Sequence, residues 1–163
     1  MSILTKLKKF FITNKTAVII VLAILALDRI TKELALLLLR PRGYVEVFRF
    51  LRFSYVENTG MAFGLFQNAN IFLLIVMLIV IIFIVKSWKE LSSLRPPLGL
   101  IGASFIIGGA LGNVYDRIVL GFVVDMIDFR VWPVFNAADS FICIGAALLA
   151  FSMLFNVRAP EGK

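Results

Sequence analysis

Histidine is absent from the 163 residues, which removes Ser-His and Cys-His catalysis and every His-bearing metal site. Cysteine occurs once, so no internal disulfide can form. Cys143 lies in an apolar run over 140–155 and is expected to pack there as a small hydrophobe. Charge is also scarce, at 17% of the chain. Hydrophobic residues make up 61%, with a mean hydropathy of +0.98, where soluble domains sit at roughly half even when glycine is counted. A soluble fold of this length has no way to bury that much apolar surface, and disordered chains are poor in such residues. The composition describes a single integral membrane domain over 1–163. Its chemistry must rest on carboxylates, hydroxyls, lysines or amides.

The net charge of +7 and isoelectric point near 9.9 do not describe a nucleic-acid surface. The charges fall between hydrophobic runs, as in the Lys/Arg-rich loops of membrane proteins, rather than on one solvated face. Four runs read as membrane helices, at about 16–39, 68–88, 98–115 and 137–156. No small-residue cleavage pattern follows the first run, so it is expected to be retained rather than removed as a leader, and Pro41 stops it. The second is the plainest, without a polar residue over 71–85 and with Trp88 marking an interfacial end. Pro96-Pro97 opens the third. Nine Lys/Arg fall in the amino-terminal head, the 86–97 loop and the tail; six fall in the other two loops. Both termini are therefore expected in the cytoplasm. Over 43–66 the chain is rich in aromatic and β-branched residues with polar ones interspersed, which suits short strands on the outer membrane surface, with a slip near 48–50. An amphipathic interfacial helix is the alternative there.

Polar groups at membrane depth mark candidate function. In the first helix Asp28 and Lys32, and Arg29 and Glu33, stand four apart and can pair on one face. Mutual neutralisation that holds the helix in its bundle is an equally good account. Ser104, Gly108 and Gly112 form a small-residue stripe suited to close packing, followed by Asn113 and by Asp116 beside Arg117, readable as an ion pair at the helix end. Four of the five aspartates fall within 116–139: Asp116, Asp125, Asp128 and Asp139. Asp139 begins the fourth helix just after Asn136. Asp125 sits among Val123, Val124, Met126 and Ile127, whose burial draws it inward. Two adjacent buried carboxylates share a proton, and such a pair can activate water and protonate a carbonyl without metal, serine or cysteine. Clustered aspartates also serve cation sites and proton relays, so this pattern alone leaves hydrolysis and transport both open.

Five segments in order resemble the lipoprotein signal peptidases (signal peptidase II): Asp28-Arg-Ile-Thr-Lys32, Asn58-Thr-Gly-Met-Ala-Phe-Gly64, Gly108-Gly-Ala-Leu-Gly-Asn-Val-Tyr-Asp-Arg117, Gly121-Phe-Val-Val-Asp-Met-Ile-Asp128 and Pro133-Val-Phe-Asn-Ala-Ala-Asp-Ser140. The chain departs from the family at Met61, usually Ala, and Met126, usually Phe. The resemblance implies that Asp125 and Asp139 are the catalytic pair. It implies that Asn58, Gly60, Asn113, Arg117 and Asn136 line or brace the site, with Asp28 and Lys32 as supports. It also implies diacylglyceryl-prolipoprotein substrates, cut before the lipidated cysteine, in the bacterial inner membrane.

The expected protein is thus an all-α membrane protein of four transmembrane helices, with a small extracytoplasmic β-element between helices 1 and 2. It is an aspartyl endopeptidase in contact with membrane lipid, monomeric, and without cofactor, metal site or nucleic-acid partner. Asp116 and Asp128 are expected to be structural. A small proton-coupled transporter or channel is the strongest rival, and a noncatalytic assembly subunit the next. The lack of a carboxylate midway along the last three helices argues against transport, whose sites tend toward the midplane.

Overall fold

The computed structural model describes residues 14–60, 69–94 and 98–155. The basic head, Met61 with the rest of 61–68, the Pro96-Pro97 pair and the tail from 156 lie outside the described residues. Helix α1 (Lys15–Leu34) continues into a π-helical turn (Ala35–Leu39), followed by strands β1 (Tyr44–Phe48) and β2 (Leu51–Asn58). Then come α2 (Asn70–Lys86), a short α3 (Trp88–Ser93), α4 (Leu98–Val119), β3 (Val123–Asp128) and α5 (Ala137–Leu154).

The helices turn many of their large apolar side chains outward, and α1 buries charge. On α1 the buried face is Ala17, Ile24, Asp28 and Lys32, continued by Ala35 and Leu39, while Leu22, Leu27, Ile30, Leu34, Leu37 and Leu38 point outward. On α2 only Leu73 and Ile84 are buried, and most of its other large apolar side chains are exposed. A water-soluble helix has the reverse arrangement. Two helices, α4 and α5, are long and apolar enough to cross a bilayer by length and composition. Helix α2 is more apolar but shorter, at 17 residues.

Helix α4 is the axis of the bundle, and α5, α1 and α2 all pack on it. Small residues permit the closest approach: a Cβ on Gly102 would stand 2.5 Å from Gly145 O, and one on Gly145 would stand 2.6 Å from Gly102 O. This is backbone-to-backbone packing of the kind that replaces hydrophobic burial between helices in lipid. The small-residue stripe read from the sequence works the same way. Gly108 abuts Ile24, Gly112 abuts Asp28, and Ser104 returns its hydroxyl to Leu100 O at 2.7 Å.

Three details differ from the sequence reading. The β-element is a three-stranded antiparallel sheet in the order β1-β2-β3, so it is completed by a strand from between α4 and α5 and is not confined to the α1–α2 connection. Strand β3 is buried along nearly its whole length, so it carries none of the apolar-polar alternation that marks a half-buried strand. Trp88, read as the interfacial end of the second run, is buried just beyond α2. It packs with Ala17, Ile84 and Leu91 and donates its indole N–H to Asn14 Oδ1 at 2.8 Å. Helix α4 runs to Val119, which places Arg117 in its last turn rather than in a loop.

Candidate active site

The site lies where α1, α4, β3 and α5 meet beneath the sheet. Asn136 precedes α5 with extended backbone, and its side-chain oxygen accepts from Asp139 N–H at 2.9 Å. Asp139 Oδ2 accepts in return from Asn136 N–H at 3.2 Å. This capping box satisfies two donors that a helix start otherwise leaves open, and it fixes the Asp139 carboxylate at the head of α5. The side-chain N–H of Asn136 donates to Asp125 Oδ1 at 2.6 Å. One residue therefore binds both carboxylates, through its backbone on one side and its amide on the other. The second oxygen of each is held by a further asparagine: Asn58 donates to Asp125 Oδ2 at 2.8 Å, and Asn113 donates to Asp139 Oδ1 at 2.7 Å. Asn113 Oδ1 is 3.2 Å from Asn136 Nδ2, which closes the ring of amides.

Asp125 is brought here by pairing of β3 with β2, in a register that sets it opposite Val56. It is 1% exposed, as the burial of Val123, Val124 and Met126 around it requires. Burial first, and the neighbouring Asp139 carboxylate second, raise its pKa to about 7 from 3.8, against the lowering effect of the Asn58 and Asn136 hydrogen bonds and of Lys32. A carboxylic acid in that range can hold or yield a proton near neutrality.

Beneath the carboxylates lies a buried ionic layer. Lys32 Nζ lies 2.8 Å from Asp28 Oδ2 and 2.9 Å from Asp116 Oδ2, and it donates to Asn113 Oδ1 at 2.8 Å. Asp28 Oδ1 accepts from Ala138 N–H at 3.1 Å, another open donor at the start of α5. Asp116 does not pair with Arg117, its neighbour in sequence. It pairs with Arg29 and Lys32 of α1 and accepts from Val124 N–H at 3.2 Å. Successive residues on a helix point roughly 100° apart, so adjacency in sequence opposes an ion pair between them. Arg117 turns the other way and donates to Gly60 O at 3.2 Å and Asn70 Oδ1 at 2.8 Å.

A cleft of about 570 Å³ opens on this cluster, lined by Asn58, Gly60, Asn113, Arg117 and Asp139 on its polar side. Leu73, Val76, Met77, Val134 and Phe135 form apolar walls. Asp125 lies behind Asn58 and is not itself part of the lining. Cys143, expected to pack in its apolar run as a small hydrophobe, is exposed on the cleft wall. Asn70 was not singled out from the sequence. Its only signal was an amide standing immediately before an uninterrupted apolar run. Asp128 stands apart at the far end of β3, bound to Arg52 Nε at 2.6 Å and Ser54 Oγ at 3.1 Å. Among the described residues no group of three or more acidic or cysteine side chains gathers as a metal site.

An apolar-surfaced helical bundle with two amide-held carboxylates at the edge of a cleft is the arrangement of a membrane-embedded enzyme. A solved bacterial membrane enzyme, determined by the in meso method at 2.3 Å resolution, superposes with a TM-score of 0.79 over 91% of this chain and 93% of that one, at 28% identity. A second, at 1.9 Å resolution, gives 0.76 over 88% and 95%, also at 28% identity. The family model described as signal peptidase (SPase) II matches residues 20–155. The lipoprotein signal peptidase of Caldanaerobacter subterraneus subsp. tengcongensis is 43% identical over 141 residues, covering 85% of this chain and 96% of the relative. That of Clostridium novyi is 39% identical over 154 residues, covering 90% and 99%. The chain belongs to the signal peptidase II family, and is a protease rather than a transporter or a noncatalytic subunit.

Proposed function

We propose that this protein is an aspartyl endopeptidase of the bacterial inner membrane that removes the signal peptide from diacylglyceryl-modified prolipoproteins, cutting just before the lipidated cysteine. The observation that carries the reading is the attachment of Asp125 and Asp139 to the same residue, Asn136, at the head of α5. Four helices (α1 with its π-turn, α2, α4 and α5) cross the bilayer, both termini are cytoplasmic, and the site faces the extracytoplasmic side. The protein acts as a monomer, and the apolar cleft walls suit a substrate that arrives through lipid.

The pair holds one proton between its two carboxyls. The ionised member takes a proton from water as the oxygen attacks the scissile carbonyl carbon, and the protonated member gives its proton to the carbonyl oxygen. The resulting gem-diol collapses: one hydroxyl proton returns to the pair, the C–N bond breaks, and the leaving amine takes the other proton from the pair. The pair ends as it began, singly protonated. Amide donors suit this cycle because they hold carboxyl geometry without fixing which oxygen is charged. Asn58, Asn113 and Asn136 position the pair, Arg117 and Gly60 line the substrate path, and Asp28 and Lys32 brace Asn113 and the start of α5.

The test is cleavage of a lipidated prolipoprotein peptide by purified protein in detergent, beside an unlipidated control and a metal chelator. The expected result is a single cut that needs the lipid and ignores the chelator. Equal cutting of both peptides removes the lipid requirement, and inhibition by the chelator removes the carboxylate mechanism.

A further inference from the structure

A second pocket of about 390 Å³ lies away from the catalytic cleft, between the end of α1, the sheet and the start of α5. Its size falls within the range of ligand pockets, about 300–1,000 Å³. Leu34, Leu38, Val45, Phe53 and Met126 form its walls. Thr31 also lines it, but that hydroxyl is already spent on Leu27 O and Asp28 O at 3.0 Å. The one charged group is Arg42.

Three observations say what fills it. Leu34 and Leu38 belong to the outward apolar face of α1, at 48% and 51% exposure, so the pocket opens on the side that faces lipid. The wall is shaped by the π-helical turn Ala35–Leu39; such turns are rare and recur at functional sites. Three of the arginines around the sheet have a carboxylate: Arg40 has Glu57 at 3.9 Å, Arg52 has Asp128 at 2.6 Å and Arg130 has Glu46 at 2.8 Å. Arg42 makes no ion pair among the described residues and stands at an apolar cavity in need of an anion.

We propose that this pocket holds one acyl chain of an anionic glycerophospholipid, with the phosphate bound by Arg42. The inference rests on the membrane orientation proposed above, because it sets the pocket at the outer bilayer boundary. The back wall is Met126, adjacent to Asp125, so a seated chain supports the catalytic strand from behind.

The test uses phosphatidylglycerol with a photoreactive diazirine on one acyl chain, incorporated with the full-length protein into nanodiscs. A phosphatidylcholine probe with the same chain runs beside it. Adducts are expected on residues 34–39 and on Met126, with the anionic probe preferred. Arg42→Gln should lower them about fivefold, the value of one surface cation on an anionic lipid. Leu38→Trp, which fills the cavity, should remove the Met126 adduct while the protein remains folded by its melting curve. Arg49→Gln, at an exposed arginine outside the pocket, should change nothing. Equal labelling by the two probes, or equal loss with Arg49→Gln, would overturn the site and leave only general contact with boundary lipid. Peptide cleavage on the same preparations reports separately: labelling without cleavage sinks the peptidase reading alone, and cleavage without pocket labelling sinks this one alone.

Discussion

Two sets of buried carboxylates are held in opposite ways. Asp28, Asp116 and Asp128 are matched with cations: Lys32, Lys32 together with Arg29, and Arg52. Asp125 and Asp139 receive hydrogen bonds from asparagine amides and one backbone N–H. A cation pins a carboxylate in its ionised form, whereas a neutral amide fixes position and leaves the proton free to move. Asp128 and Asp125 sit on the same strand and show the consequence. Burial pushes Asp128 upward, but the bonds from Arg52, the Arg130 N–H and Ser54 outweigh it and hold the group below its ordinary value. Asp125, with amides in place of a guanidinium, rises to about 7.

The largest effect that would break this comparison is loss of the amide-held pair. Asp125→Asn and Asp139→Asn should each lower kcat/KM for the lipidated peptide by about 10³-fold or more, the scale of general acid–base groups, while membrane insertion is unchanged. Asp128→Asn should leave cleavage measurable, and equal loss at all three positions would erase the distinction. Next is the ionic layer. Lys32→Met strands Asp28 and Asp116 without their shared cation and should cost about 3–5 kcal/mol of stability, read from thermal unfolding in detergent.

The pH dependence sharpens the contrast by its sign. Because the Asp125 pKa is raised, its contribution to stability is complete below the ordinary carboxylate range and is lost as pH rises through about 7. Cleavage should fall over the same interval as the pair loses its shared proton. Asp125→Asn should flatten the stability profile there. Asp128 has the opposite sign: its contribution is present above the ordinary carboxylate range and lost as pH falls through its depressed value. An activity profile flat from pH 6 to 9 would count against a shared proton. The smallest effect is at the surface, where Glu57→Gln, releasing exposed Arg40 at 3.9 Å, should shift stability by less than about 1 kcal/mol.

Much of this was legible in the chain because the bilayer penalises exceptions so heavily. An uninterrupted apolar run over 71–85 announces a helix, and a lone aspartate between Val124 and Met126 must be buried if its neighbours are. What stayed hidden depends on partners distant in sequence. Strand β3 shows no alternation because it is covered on both faces. Asp116 finds Arg29, 87 positions away, rather than the arginine beside it. Asn70 matters only once α2 brings it to Arg117. The π-turn that shapes the lipid pocket leaves no mark among five residues that would equally suit an ordinary helix.

By itself the sequence determined the solvent of this protein, its helical segments and the residue types left to perform chemistry. Each of these follows from local transfer energies that act on the chain wherever it lies. Only the tertiary structure decided which carboxylates meet cations and which meet amides, because that depends on helix rotation and strand register. Those are set by the close glycine contacts of α4 and by the pairing of β2 with β3, where a shift of one position turns a side chain to the opposite face.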